Sequence, residues 1–165
     1  MNIEDLLDPI SREEFFGEIW GQSPLHVTGC LDKFDYLPNI SELPGILSGK
    51  IEDDSWQGTH NLACQAYKQN IDGSIDKFTD VPIGMYTQMF NSGYGLCFND
   101  VSFAIPGLQR ILAEFLGNSS TVNQDSVTCY LTPPASRGVL HFDNQHVFFV
   151  QRSGTKNWRV SNEPG

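Results

Sequence analysis

The sequence has few positive charges and no concentration of them. Ten Lys and Arg residues face twenty Asp and Glu, giving a formal net charge of -10, and no Lys/Arg cluster exceeds two residues. Binding to a phosphate backbone requires the opposite electrostatic field, so we expect no direct contact with nucleic acid.

Long apolar runs and closely spaced cysteines are also missing. No stretch approaches the roughly 18 apolar residues of a membrane helix, and the acidic N-terminus MNIEDLLDPI lacks the layout of a signal peptide. The four cysteines are far apart and form no CxxC pair, which favours neither a zinc framework nor a disulfide scaffold. The sequence therefore predicts a reduced, cytoplasmic protein without membrane association.

The 165 residues are enough for one domain, and the local patterns predict helices followed by strands. Ser11 to Glu14 forms a capping box, with Ile10 and Phe15 placed for a hydrophobic staple, before a helix over 12–20. The range 61–78 is expected to be a strand or a hairpin, with Asp72-Gly73 as the signal of a tight turn. The remaining expected elements are helices over 41–48, 82–91 and from Pro106 to 116, and a strand over 93–98.

The most informative stretch is GVLHFDNQHVFFVQRSGTKNWRV, from Gly138 to Val160. If Val139–Asp143 is extended, His141 and Asp143 point to one face, as two of the three ligands of a two-histidine, one-carboxylate iron site would. The competing interpretation is a hydrogen-bonded His-Asp pair on a surface strand. A buried strand over 147–150, a turn at Ser153-Gly154, and a strand with Lys156 and Trp158 on one face are expected to follow.

These motifs resemble the JmjC-type cupin hydroxylases of the ribosomal-oxygenase branch. The matching residues are Tyr130-Leu-Thr-Pro-Pro134, Gly138, His141-Phe-Asp143, Val147-Phe148, Gln151, Gly154, Lys156 and Trp158-Arg-Val160, together with the N-terminal FFGEIWGQSPLHVTG. The resemblance implies an α+β, mainly β fold: N-terminal helices before a cupin-like double-stranded β-helix, or jelly roll, here incomplete. We expect a helical and mixed region over 1–125 and the first strands of the core over 126–165.

The resemblance also implies the site. His141 and Asp143 would bind Fe(II), Lys156 would pair with the distal carboxylate of 2-oxoglutarate, and Tyr130 and Thr128 would line the cosubstrate site, Thr128 standing where the family commonly has asparagine. Without the resemblance, Lys156 is an exposed hairpin lysine and Tyr130 an ordinary strand aromatic. His146 is expected to have a surface or supporting role, since its spacing turns it away from His141.

In the family, the third ligand is a second histidine well after the W-R-V motif, and this chain ends at Gly165. We therefore expect either a portion of a longer oxygenase or a shortened relative that lost the site. The leading prediction is an Fe(II)- and 2-oxoglutarate-dependent oxygenase that hydroxylates a side chain of a protein or peptide substrate. The alternatives are a non-catalytic cupin-like binding or dimerisation module and an iron cupin that uses no 2-oxoglutarate. A homodimer is a further expected assembly, since relatives in the family often dimerise.

Overall fold

The computed structural model describes residues 3–30, 32–39, 42, 63–105, 108, 112–113, 126–138 and 141–161. The helices are α1 (Ile3–Leu7), α2 (Arg12–Glu14) and α3 (Tyr86–Asn91), with a π-helical turn at Phe15–Ile19 and 3-10 turns at Ile83–Met85 and Val101–Phe103. The strands are β1 (Cys64–Gln69), β2 (Ile75–Phe78), β3 (Gly95–Phe98) and β4 (Cys129–Leu131). None of the described helices is long and apolar enough to span a membrane.

The N-terminal helix is confirmed, with one change of geometry. The backbone N–H of Glu14 donates to the Ser11 hydroxyl across 3.1 Å, so the predicted cap begins α2. The helix continues as a π-helical turn and ends at Ile19. Phe15 is buried with Ile3 and Leu7, and Ile10 packs on the same cluster, as the staple pattern predicts.

The predicted hairpin is also confirmed. Strands β1 and β2 pair antiparallel with Gln69 opposite Ile75. The Asp72 carboxylate accepts from the Ser74 backbone N–H at 2.9 Å and from its hydroxyl at 2.6 Å, which lowers the pKa of Asp72. Gly73 takes a φ of +86°, a conformation that favours glycine. Local turn chemistry therefore sets this register.

The four described strands form one antiparallel sheet in the order β2-β1-β3-β4. One face of it carries the core: Ala66, Leu96 and Phe98 pack with Tyr86 of α3 and Val101. The predicted helix over 82–91 and strand over 93–98 thus exist and meet each other. The other face bears Tyr67, Cys97 and Tyr130, because alternate residues of a strand point to opposite sides.

The predicted buried strand over 147–150 is wrong. Residues 147–150 belong to no strand and their side chains are 37–56% exposed. Lys156 and Trp158 likewise lie outside any strand, although the turn before them forms, with Gly154 at a φ of +72°. An apolar segment becomes a buried strand only when a neighbouring strand pairs with its backbone, and within the described ranges β4 is the last paired strand.

Two further predictions fall outside the described residues. The helix predicted over 41–48 has only Glu42 within them, and that residue is in a turn. Of the helix predicted after Pro106, Leu108, Leu112 and Ala113 are described; all three are helical, and Leu108 is buried in the core cluster. That burial agrees with the apolar face predicted for this segment.

Candidate functional site

His141 and Asp143 lie side by side. Nε2 of the histidine is 3.6 Å from Oδ2 of the carboxylate, and the side chains are 64% and 50% exposed. Adjacent ligands on an octahedral ion with bonds of about 2.1 Å lie about 3 Å apart, so a small closure would let both atoms bind one ion. An imidazole and a carboxylate also suit Fe(II) chemically, and the pair therefore fits two positions of an iron site.

A third ligand is not found in the described part of the chain, where no three His, Cys, Asp or Glu side chains converge on a metal-sized site. His146, the nearest histidine in sequence, lies elsewhere. Its ring stacks on Trp20 with centroids 4.0 Å apart and an interplanar angle of 29°. This contact agrees with the supporting role predicted for His146.

Lys156 and Trp158 share a face, as predicted, and Tyr130 joins them. The Lys156 ammonium lies 4.3 Å from the centroid of the Trp158 ring, 5.7 Å from that of Tyr130 and 5.8 Å from that of Phe149. The side chain as a whole is exposed, but burial of its charged end lowers the pKa of Lys156. Among the described residues no carboxylate lies within ion-pair distance of this ammonium. A cation against aromatic rings, with no counter-ion among the described side chains, suits an anionic ligand.

Tyr130 is the middle residue of β4, and its ring lies beside the Lys156 ammonium. Burial, and then the neighbouring Cys97, Tyr67 and Asp143, raise the pKa of Tyr130 to about 12. Its hydroxyl therefore stays protonated and able to donate a hydrogen bond. The Asp143 carboxylate is the last and smallest of the causes that raise this pKa. Thr128, two residues before Tyr130, is half-buried and directly precedes β4.

Two residues of this face were not predicted from sequence. Cys97 of β3 lies directly opposite Tyr130 of β4. Tyr67 of β1 lies across Gly95, where an added Cβ would come within 2.7 Å of the tyrosine Cζ. The sequence did not point to these two residues, because the register between strands cannot be read from a single strand.

Arg152 anchors the segment that follows the His-Asp pair. Its guanidinium donates to the backbone oxygen of Leu37 at 3.3 Å and to Oδ1 of Asn39 at 2.9 Å, and it pairs with Asp35 at 3.4 Å. The segment is thereby held on the 35–39 turn. Sequence reasoning gave this arginine no role, since its partners lie more than 110 residues away.

Comparison with known proteins agrees with these motifs. Residues 108–164 match the family model described as the JmjC domain. The chain is 29% identical to ribosomal oxygenase 1 of Danio rerio over 95% of its own length and 28% of the relative's, and 27% identical to ribosomal oxygenase 1 of Gallus gallus over 94% and 25%. It is 24% identical to the bifunctional lysine-specific demethylase and histidyl-hydroxylase NO66 of Drosophila mojavensis over 96% and 18%.

These matches confirm the resemblance to JmjC-type oxygenases that the sequence motifs indicated. The chain spans between 18% and 28% of the length of the three relatives. No solved structure matches it.

Proposed function

We propose, from the confirmed resemblance to the JmjC-type oxygenases, that this chain carries the first part of an Fe(II)- and 2-oxoglutarate-dependent hydroxylase acting on a side chain of a protein or peptide. The relatives' names, ribosomal oxygenase and histidyl-hydroxylase, support that substrate class. The observations that carry the proposal are the His141–Asp143 pair and the contact of the Lys156 ammonium with the ring of Tyr130 in the edge strand β4, with Asp143 among the charges that raise the pKa of Tyr130.

In this proposal each residue has a role that its chemistry suits. His141 and Asp143 hold the iron through Nε2 and a carboxylate oxygen, and the third ligand comes from outside the described residues. Lys156 binds the distal carboxylate of 2-oxoglutarate, Tyr130 donates its hydroxyl proton to the same group, and Thr128 lines the strand beside them. When bound, iron and 2-oxoglutarate supply the oxidising power, while the protein orients the cosubstrate and excludes water.

The finer architecture belongs to the same proposal. The described sheet would be part of a cupin-like jelly roll. The strands of the motif-bearing core would begin near residue 126, and the preceding helical and mixed region of 125 residues would contribute β1, β2 and β3. Interior residues of such barrels line a ligand cavity. The proposal also includes a cytoplasmic location, a protein or peptide partner, and no direct contact with nucleic acid.

The test is anaerobic titration of the whole protein with Fe(II) and 2-oxoglutarate, followed by the charge-transfer absorption of the chelate. We expect a band only when both are present, lost in His141→Ala and retained in His26→Ala, which removes an exposed histidine without a predicted role. A band that survives His141→Ala would refute the ligand assignment. Lys156→Ala should retain iron but weaken 2-oxoglutarate binding at least about tenfold, the value of a charge-assisted hydrogen bond.

A second candidate function follows from the number of metal-ligating side chains in the described part of the chain. The described residues offer two neighbouring ligands, both open to solvent, and no group of three. A non-catalytic binding or dimerisation module would keep this geometry without turnover. It predicts no chelate band in the whole protein, whereas an iron cupin without 2-oxoglutarate predicts bound iron and unchanged activity in Lys156→Ala.

A further inference from the structure

Arg152 ties the segment that carries the candidate site to the core of the fold. Its guanidinium donates to the backbone oxygen of Leu37 at 3.3 Å and to Oδ1 of Asn39 at 2.9 Å, and it lies 3.4 Å from a carboxylate oxygen of Asp35. The Leu37 side chain packs against the core cluster of the sheet, and its backbone N–H donates to the backbone oxygen of Phe34 at 2.9 Å. The arginine is therefore held by a turn that is itself fixed to the core.

The hydrogen bonds contribute more to this anchor than the ion pair does. The Asp35 side chain is 64% exposed, and an ion pair so open to water is weakened by solvation and by salt. The Arg152 side chain is only 26% exposed, and its planar guanidinium offers donors in fixed directions to two acceptors. We therefore expect the contacts with Leu37 and Asn39 to set the position of the arginine.

Arg152 lies between the two halves of the candidate site in the sequence. It follows Asp143 by nine residues and precedes Lys156 by four. The described residues 141–161 belong to no helix or strand, so no backbone ladder fixes the distance from the His141–Asp143 pair to Lys156. Side-chain contacts have to fix this distance instead, and Arg152 supplies one of them between the two halves.

A sharp bend follows the anchor and leads to Lys156. The Gln151 amide donates to the backbone oxygen of Ser153 at 2.7 Å, and Gly154 takes a φ of +72°. Four residues span at most about 14 Å when fully extended, and they span less through a bend. The position of Arg152 therefore limits where the Lys156 ammonium can lie.

A ligand that joins both halves of the site depends on the distance between them. In the proposed function, 2-oxoglutarate chelates the iron with the oxo acid group at one end, and Lys156 binds the carboxylate at the other end. A displaced ammonium would weaken the second contact and leave the chelate unchanged. Binding groups that are held in place before the ligand arrives also lower the ordering cost of binding.

We propose that Arg152 is a positioning residue for Lys156. By holding the chain on the 35–39 turn, it keeps the ammonium at the distance from the iron site that a 2-oxo acid with a distal carboxylate requires. The inference rests on the proposed function, which supplies the contacts at both ends of that ligand. Arg152 acts through Lys156 and is assigned no contact with the ligand or the iron.

The experiment compares two ligands on the whole protein, with dissociation constants measured anaerobically in the presence of Fe(II) by the absorption of the chelate. Pyruvate has the same oxo acid group as 2-oxoglutarate but no distal carboxylate for Lys156. Arg152→Ala is expected to weaken 2-oxoglutarate binding about three- to tenfold, within the value of one hydrogen bond, and to leave pyruvate binding unchanged. Arg152→Lys, which keeps the charge but not the planar fork, should recover part of the loss.

Arg12→Ala is the matched control, since Arg12 also forms an exposed ion pair, with Glu4 at 3.6 Å, but forms it within the N-terminal helices. It should leave both dissociation constants unchanged. Asn39→Ala removes one acceptor of the anchor and should weaken 2-oxoglutarate binding about two- to threefold, with no further loss in the Arg152→Ala background. If Arg152→Ala does not fold, Asn39→Ala and Arg152→Lys carry the test with the same two ligands.

Equal weakening of both ligands in Arg152→Ala would show that the arginine supports the fold as a whole, and would overturn the positioning role. If Lys156→Ala leaves the dissociation constant of 2-oxoglutarate unchanged, the proposed cosubstrate site itself fails, and the role of Arg152 fails with it. If Lys156→Ala weakens 2-oxoglutarate binding and the Arg152 variants do not, the proposed function stands and the inference about Arg152 is wrong.

Discussion

At the scale of single residues, burial of the Lys156 ammonium makes its protonation sensitive to a bound anionic ligand. Its ammonium lies closest to the Trp158 ring, and burial disfavours its charged form, which lowers its pKa below 10.5. A carboxylate beside it would favour the charged form again. Free and bound proteins should therefore differ in the protonation of this one group.

We predict that the pKa of Lys156 in the ligand-free protein lies below 10.5 and rises when 2-oxoglutarate binds. Affinity should fall as the pH rises through the ligand-free pKa, while Tyr130, with its pKa of about 12, stays protonated over that range. NMR titration of the Lys156 side chain, assigned with Lys156→Arg, measures the shift. Trp158→Ala, which admits water, should return the pKa toward 10.5. A ligand-free pKa of 10.5 or more would contradict the prediction.

The Tyr67 side chain passes close over Gly95 of β3. An added Cβ would come within 2.7 Å of Tyr67 Cζ and 2.9 Å of its hydroxyl oxygen, so the ring must move. We predict that Gly95→Ala lowers the free energy of unfolding by about 1–3 kcal/mol, as overpacking does. Gly84→Ala, where nothing lies within 4 Å, is the control and should be within about 1 kcal/mol of the natural protein in urea unfolding.

Tyr67→Ala should remove most of the additional cost of Gly95→Ala, because the clashing ring is then absent. Equal costs of Gly95→Ala in the presence and absence of the ring would show that the close approach is not the cause.

At the scale of elements, the N-terminal helices support the segment that follows the His-Asp pair. The Trp20 ring stacks on His146 and lies 5.7 Å from Phe148 at an angle of 22°, while Phe15 is 6.0 Å from Phe148. Residues 146–148 belong to no strand, so these ring contacts and the Arg152 anchor hold the segment in place of a backbone ladder.

We therefore predict that Trp20→Ala releases this segment more than it unfolds the sheet. Amide hydrogen exchange should accelerate over 144–150 and stay unchanged in β1 and β3, because local opening costs less than global unfolding. Phe16→Ala is the control, since Phe16 lies on the same helical turn but has its ring contacts with Phe15 and Trp20. Uniform acceleration through the sheet would show instead that the helices stabilise the whole fold.

At the scale of the whole molecule, apolar side chains are concentrated on the surface of one segment. The exposed large hydrophobic residues of the described range 141–161 are Phe142, Val147, Phe148, Phe149, Val150, Trp158 and Val160. Contiguous exposed apolar surface and an edge strand promote association.

We predict that the 165-residue chain on its own associates at concentrations of about 10–100 μM, because large apolar side chains are exposed over the range 141–161. Light scattering after size exclusion measures it, and Phe142→Ser combined with Phe149→Ser should shift the chain toward monomer. Ile71→Ser is the control, because Ile71 is exposed alone at the hairpin turn. A chain that remains monomeric at the highest concentration would contradict the prediction.

The sequence alone determined what depends on neighbours within a few residues. Ser11 and Glu14 specified a helix start, Asp72 and Gly73 specified a turn, and the run from Gly93 to Phe98 indicated a strand, since capping, turn and strand preferences are local. The spacing of His141 and Asp143 likewise predicted two groups side by side, and the structure has them 3.6 Å apart. The likeness to the JmjC family was also readable from motifs.

Only the tertiary structure decided the contacts that depend on register and pairing. Cys97 lies opposite Tyr130 because of the way β3 aligns with β4. The stacking of His146 on Trp20 joins residues that are 126 positions apart in the sequence. Residues 147–150 have the composition of a buried strand, yet burial needs a paired neighbour, which no local pattern supplies. Long-range pairing, unlike a turn or a cap, is a property of the whole chain.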